Sequence, residues 1–407
     1  MTGQPPSRYR TSSAVPSTPS VPGREAVIVE GVRTPVGKRE GQLRDWHPTD
    51  LLAQTLRTLV DRSGVDPEKV SDAIIGCVLT EGEQSFNIAR YAILGAGLPE
   101  SLPAITIDRQ CGSGQQAAHF AAQAIRSGEA DFVLAGGVES MSRVPLGPMF
   151  DPSLGKPVFH GERAQKRYGN ALGAQGPAVE LVARKWGLTR DELDQFSIES
   201  HRRADAATQS GFYADHLVPV EDSAGTEMVR DEGIRRAIQG ERMAALKPVF
   251  LDDGVITAGN SSQLSDGAAG LLIAEHDAAR AEGLKPLAAI RSMAVAAADP
   301  VLQFTAILPA ARNALEQAGL DIADIDRIEV NEAFAPVPLM FAREFNVDHS
   351  IVNVNGGSIA IGHPLGSTGA RMLADLAYEL RDSGCRYGLL TICEGGGTAN
   401  ATILELL

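Results

Sequence analysis

The chain carries one passage twice, and that duplication limits its fold more than any other feature. Ser63-Gly64-Val65-Asp66-Pro67-Glu68-Lys69-Val70 matches Ala318-Gly319-Leu320-Asp321-Ile322-Ala323-Asp324-Ile325 at an offset of 255. In each copy a helical pattern stops at glycine and an apolar strand follows, Ala73-Ile74-Ile75 in one and Ile328-Glu329-Val330 in the other. Arg126-Ser127-Gly128 matches Asp382-Ser383-Gly384 at an offset of 256. Two separate matches at nearly one offset imply two similar halves. Each half alternates strands and helices, so the fold class is α/β. A chain of 407 residues also exceeds one ordinary core. The correspondence is interrupted once. After Cys393 the second half passes through Gly395-Gly396-Gly397 straight into the strand Thr398 to Leu406, whereas the matching first-half strand, Gly267 to Ile273, comes much later. Residues 141–264 are therefore read as an insertion. The first half is then 24–140 with 265–284, and the second half is 285–407. An insertion of that size, rich in Gly, Pro and charge, would cover the sheet ends and bind the bulk of a ligand.

The repeat aligns Gly76 with Asn331, Cys111 with Ser367 and Gly137 with Cys393. Cys111 lies in Asp108-Arg109-Gln110-Cys111-Gly112-Ser113-Gly114-Gln115, between a short strand at 103–107, read as buried, and a helix over 115–126. A thiol at such a turn faces unpaired N–H groups and the positive end of the helix dipole, and both favour the thiolate. A small core cysteine beside a turn fits this stretch alone equally well. Three second-half stretches stand out beside it: Asn331-Glu332-Ala333-Phe334-Ala335, the Gly-rich turn from Asn353 to Gly366 with His363, and Cys393-Glu394-Gly395-Gly396-Gly397. Taken singly, Asn331 could cap a helix, His363 could be a bonded loop histidine, and the glycines could be a tight turn.

Composition narrows the partners. The formal net charge is −14, which argues against a nucleic-acid surface. Four cysteines do not make a disulfide framework in a chain this long and suit a reducing compartment. No apolar run reaches the length of a membrane span. The first 23 residues are rich in Ser, Thr and Pro, lack acids, and have no apolar core of a secretory signal. They are read as a disordered tail on a cytoplasmic protein.

Together these motifs resemble one family. Gln-Cys-Gly-Ser-Gly, Asn-Glu-Ala-Phe-Ala, Asn-Val-Asn-Gly-Gly-x-Ile-Ala-x-Gly-His-Pro-x-Gly and Cys-x-Gly-Gly-Gly, in that order, look like a thiolase, an acetyl-CoA acyltransferase. The segments 136–142 and 259–262 are thiolase-like as well, so the match covers nearly everything after residue 24. The resemblance implies a thiolase fold, two duplicated halves in five layers, α-β-α-β-α, with the inserted loop domain. It implies that Cys111 is the nucleophile, that His363 activates it, and that Cys393 is the second acid/base. Asn331 and His363 would stabilise the enolate oxygen of a thioester. The N–H groups of Cys111 and Gly395 would form a second oxyanion hole. Ser262 would touch the pantetheine of CoA, with Phe334 as an apolar wall beside it. CoA is then a substrate, acyl-CoA thioesters are the partners, and neither a metal nor another cofactor is implied. Family habit suggests a homodimer or homotetramer.

Two departures stand out. Short-chain members carry His-Met-Gly where this chain reads Gly173-Ala174-Gln175-Gly176-Pro177. The lost bulk favours a larger acyl group, fatty or steroid-derived, with Gln175 at the pocket. The residue after the second cysteine is usually apolar, yet here it is Glu394. Adjacent strand residues point to opposite faces, so Glu394 is read as facing away from the thiol, toward solvent or a basic partner. A turn bringing it near the sulfur would instead disfavour the thiolate. Two other functions share the fold. A condensing ketoacyl synthase uses histidine where Cys393 stands, and a non-catalytic CoA- or lipid-binding member would lack turnover.

Overall fold

The computed structural model describes residues 23–147, 153, 157–173 and 175–407. Ala174, and the tail read at 1–23 apart from Gly23, lie outside the described residues. In the first half, strands β1 (Ala26–Arg33), β2 (Asp72–Gly76), β3 (Ala104–Ile107), β4 (Phe132–Ser140) and β5 (Ser265–Glu275) form the order β1-β5-β4-β2-β3. In the second half, β6 (Ala288–Ala297), β7 (Arg327–Val330), β8 (Tyr387–Glu394) and β9 (Thr398–Leu406) form β6-β9-β8-β7. The pairing repeats as well. β2 and β4 run parallel, as do β7 and β8, while β4 with β5 and β8 with β9 are antiparallel. The two sheets meet at Val27↔Ala289 and Ile28↔Ala288.

The helices follow from the same duplicated signals. Helix α1 (Pro48–Ser63) has proline in its first turn and ends at Gly64, whose φ of 73° is left-handed. Helix α6 (Ile307–Ala318) ends the same way at Gly319, φ 69°. Helices α3 (Ser113–Ser127) and α8 (Leu365–Ser383) form the second matched pair. Ser367 falls inside the first turn of α8, which starts earlier than the aligned Cys111 suggests, because Pro364 already sits at its N-cap.

Burial sorts these elements into layers. Ala117, Ala118, Ala121 and Ala122 of α3 pack with Ala370, Leu373, Ala374 and Ala377 of α8 and with Ile28, Leu271, Leu390 and Ile392 of both sheets. Small residues let these two helices approach closely between the sheets. Helices α1 and α2 (Ile88–Gly95) cover the outside of the first sheet. Helices α6 and α7 (Pro336–Phe345) cover the outside of the second. The order is therefore α-β-α-β-α.

One strand departs from expectation. β3 is not buried, because it is the free edge of its sheet, and Ile105 is 49% exposed. The chain between β4 and β5 includes α4 (Gln175–Lys185) and α5 (Arg190–Ser210), the latter opened by a Thr189/Glu192 capping box. It is tied to the frame where buried Arg33 of β1 meets Asp231 at 2.7 Å.

Candidate active site

Cys111 stands just before Gly112, the N-cap of α3, at the C-terminal end of the first sheet's parallel strands. The turn is held by Asp108, whose carboxylate accepts from the Gln110 N–H at 2.6 Å, and by Ser113, whose hydroxyl accepts from the Arg109 N–H at 2.8 Å. Cys111 is buried. Burial pushes its thiol up to about 12, the nearby charge of Glu394 adds to this, and a backbone hydrogen bond opposes it. The expected thiolate at the helix end is thus not the resting form, because desolvation outweighs the helix terminus. A base must take the proton.

His363 has the geometry of that base. It is buried, and burial together with the charge of Arg371 lowers its imidazole to about 3, so the ring is neutral. The Thr368 hydroxyl donates to the Pro364 carbonyl at 2.8 Å and lies 2.7 Å from His363 Nδ1. That hydroxyl proton is already used, so Thr368 accepts from Nδ1–H and leaves the lone pair on Nε2. Nε2 faces Asn331 Nδ2 at 3.4 Å. The Asn331 amide is oriented in turn, since Ser358 Oγ donates to Oδ1 at 2.6 Å. Asn331 does not cap a helix; α7 begins at Pro336 with Ala335 as its N-cap. Among the described residues, no hydrogen bond joins His363 directly to Cys111.

Cys393 is fully buried on β8 opposite Ala399. Its thiol is pushed well up by burial, then by the charges of Cys111 and Glu394, which lie within electrostatic reach of it. After it, Gly395-Gly396-Gly397 turns β8 into β9, with φ of 82° at Gly396 and 84° at Gly397. Gly395 approaches the nucleophile turn so closely that a Cβ there would meet Gln110 Oε1 at 2.9 Å. Glu394 is not at the surface, contrary to expectation; it is fully buried, and burial raises its carboxyl to about 7.

Ser262 and Phe334 are brought side by side. The Ser262 N–H donates to the Ala333 carbonyl at 2.9 Å, and Ser261 bridges to Phe334. Phe334 packs edge-on against Phe250 and Phe304, at 5.9 and 5.6 Å between ring centroids. Gln175 opens α4, and its neighbour Gly176 lies against the Phe250 ring, linking that segment to the same aromatic wall.

Sequence reasoning missed three neighbours, Ser358, Thr368 and Gln303, and the surroundings of a fourth. Ser358 sits in a quoted motif at a position with no obvious chemistry, and Thr368 lies just past the end of that motif. Glu394 was seen and its surroundings were not. Gln303 gave no motif signal, yet it is buried with a left-handed φ of 48°. Its amide donates to the Gly173 carbonyl at 3.0 Å and accepts from the Gly396 N–H at 3.3 Å. It therefore joins the segment before α4 to the triple-glycine turn.

A neutral imidazole, two buried thiols and an oriented amide make an arrangement suited to acyl transfer through sulfur. The comparisons with known proteins agree. Residues 26–277 match the thiolase N-terminal domain and residues 284–406 the thiolase C-terminal domain. The chain belongs to the thiolase family. It is 46% identical over 389 residues to the steroid 3-ketoacyl-CoA thiolase FadA6 of Mycobacterium tuberculosis, covering 94% of each chain. It is 40% identical to a 3-ketoacyl-CoA thiolase of Bacillus subtilis, covering 94% of this chain and 100% of that one. The solved acetyl-CoA acetyltransferase of Bacillus anthracis superposes with a TM-score of 0.86 at 36% identity, over 94% of this chain and 99% of that one. This thiolase is thus an acyltransferase, and the five-layer frame is the family's fold. Among the described residues, no group of three or more His, Cys, Asp or Glu side chains could hold a metal ion. No described helix is long and apolar enough to cross a membrane.

Proposed function

We propose that this thiolase cleaves 3-ketoacyl-CoA thioesters with fatty or ring-bearing acyl groups, and runs the reverse Claisen condensation, with Cys111, His363, Cys393 and Asn331 at the centre. The observation that carries this reading is the Thr368 hydroxyl, which donates to the Pro364 carbonyl and lies 2.7 Å from His363 Nδ1, so that Nε2, facing Asn331 Nδ2, is the ring nitrogen left to take a proton. In cleavage, Nε2 takes the Cys111 proton as the sulfur attacks the 3-keto carbon. The bond between C2 and C3 breaks, and Cys393 protonates the departing acetyl-CoA carbanion. CoA then attacks the Cys111 thioester, its thiol proton restoring Cys393 and the His363 proton returning to the departing Cys111 sulfur, and the acyl group leaves as acyl-CoA. Asn331, through a water, and protonated His363 hold the enolate oxygen. The N–H groups of Cys111 and Gly395 hold the oxygen of the tetrahedral intermediates, each such donor contributing roughly 10²–10³ in rate. The ketoacyl-synthase alternative would want a histidine in place of Cys393.

Substrate class rests on the acyl side. Residues 173–177 lack the His-Met bulk of short-chain enzymes, and one relative is named for steroid substrates. Ser262 and Phe334 then meet the pantetheine, Gln175 lies at the acyl pocket, and residues 141–264 form the CoA-binding cover between two halves at 24–140 with 265–284 and at 285–407. A homodimer or homotetramer would bury the free β3 edge, where Ile105, Phe86, Tyr91 and Leu94 are exposed. All four cysteines are free, which suits a reducing cytoplasm. The test is a series of thiolysis rates from acetoacetyl-CoA to long-chain and ring-bearing 3-ketoacyl-CoA, with mass spectrometry of the acyl-enzyme. Rates should rise with acyl size and the acyl mass should sit on Cys111. A clear optimum at acetoacetyl-CoA overturns the substrate assignment.

A further inference from the structure

Glu394 is a titratable group against the turn that carries Cys111, and the reaction above does not use it. Its carboxyl lies against the backbone of Gly112, the residue after Cys111; a Cβ on Gly112 would meet Glu394 Oε1 at 2.0 Å. A side chain at position 112 would displace the carboxyl from this place. The side chain is fully buried. Oε2 accepts from Thr398 Oγ1 at 2.5 Å, and Oε1 has no hydrogen-bond partner among the described residues. A buried carboxylate with one bare oxygen is costly, and a proton relieves that cost.

The groups facing this carboxyl are few. Thr398 faces it from β9, and Asp108, Arg109 and Cys111 come from the turn before α3; Cys393, its neighbour on β8, points to the other face of the strand and feels only its charge. Arg109 favours the ionised form and Asp108 opposes it. Arg109 Nε is itself buried without a hydrogen-bond partner among the described residues, so it does not neutralise Oε1 by contact. Ionised Glu394 in turn disfavours the thiolate of both cysteines.

We propose that Glu394 is a positioning residue for charge: it and Cys111 share room for a single negative charge, so the reactive thiolate forms while Glu394 holds a proton. The two one-anion forms, thiolate with carboxylic acid and thiol with carboxylate, are tautomers with the same proton count. No oxidant or further reactant is needed to pass between them. Burial has lifted the Glu394 carboxyl to about 7, so the competition falls near neutral pH. The inference rests on Cys111 being the nucleophile.

The test reads thiol reactivity rather than turnover. The full chain is alkylated with limiting iodoacetamide at closely spaced pH values, and the site is mapped by mass spectrometry. In the wild type the logarithm of the Cys111 rate should rise with pH, bend near pH 7 as Glu394 ionises, and resume later. Glu394→Gln keeps the shape and the Thr398 contact but removes the competing ionisation. It should abolish the bend and move the thiolate midpoint down, with about tenfold faster labelling at fixed pH for each unit moved. Thr398→Val removes a hydrogen bond that favours the carboxylate, so it should move the bend to higher pH. Cys111 labelling with the same profile in all three proteins overturns this inference and leaves the functional reading standing. Labelling that maps to Cys77 or Cys385 overturns both. A Glu394 that is merely structural would lower thermal stability in the variants without moving either feature.

Discussion

Thr368→Val is the substitution that most directly tests how the site works. Valine matches threonine in shape but cannot accept a hydrogen bond. Thr368 lies one turn into α8, its hydroxyl bonded back to the Pro364 carbonyl at 2.8 Å and to His363 Nδ1 at 2.7 Å. In the variant, Nδ1–H is buried without an acceptor, which costs about 1–3 kcal/mol. The ring can escape that cost by moving its proton to Nε2, and that removes the lone pair facing Asn331. The productive tautomer must then be regained at a similar cost in every turnover. A barrier increase of about 1–3 kcal/mol slows the step by about 5- to 150-fold. KM should hardly change, since no substrate contact is lost. Thr368→Ser restores the hydroxyl and should stay within a few-fold of wild type. The assay is steady-state thiolysis of one long-chain 3-ketoacyl-CoA, with circular dichroism to confirm folding. Equal kcat for the valine and serine variants would refute tautomer control by Thr368.

Cys393→Ala should still become acylated at Cys111 by an acyl-CoA, while thiolysis falls by at least about 10²-fold; equal loss of acylation would contradict separate roles for the two thiols. Gln303→Ala removes the link between Gly173 and Gly396, so KM for long acyl chains should rise about 5- to 10-fold while that for acetoacetyl-CoA moves less. Gln303→Gly should be the more stable of the two variants, by about 1 kcal/mol, because glycine adopts the left-handed φ without strain; a KM rescued by glycine would argue against the amide bridge. His119 is buried neutral, lowered to about 3 by burial and by the charges of Arg109 and Arg126. The unfolded chain takes up that proton first, so this contribution is complete above about pH 6.5 and is lost as pH falls toward 3. Denaturant midpoints should show a shallower acid fall in His119→Gln, by on the order of a few kcal/mol; parallel curves would remove His119 from the account.

The duplication was legible because it is carried by backbone chemistry. Gly64 and Gly319 close equivalent helices in left-handed geometry, and such signals survive changes in nearby side chains. The reactive groups were legible as motifs, since Cys111, Asn331, His363 and Cys393 all lie at strand ends or the turns beside them. What holds those groups was harder to read. Ser358 and Thr368 act through single hydroxyls whose partners are 27 and 5 residues away. Gln303 reaches across 130 residues in sequence to Gly173, and no local pattern announces it. The protonation of Cys111 was misjudged because the helix terminus is visible in sequence and the depth of burial is not.

Glu394 shows where strand alternation stops being informative. Alternation on β8 holds throughout: Leu389 and Cys393 join the core beneath α6 and α7, while Leu390 and Ile392 join the central layer of α3 and α8. Glu394 does face away from Cys393, as the two-residue period requires. That opposite face is not solvent, because the second half of the duplication is packed against the first through α3 and α8. The face therefore looks onto the turn carrying Cys111. A period of two tells which residues share a side, and the number of layers decides what the other side meets. In a single sheet with one open face, a glutamate at this position would be solvated and inert. Between two sheets it lies beside the nucleophile, and its charge enters the chemistry.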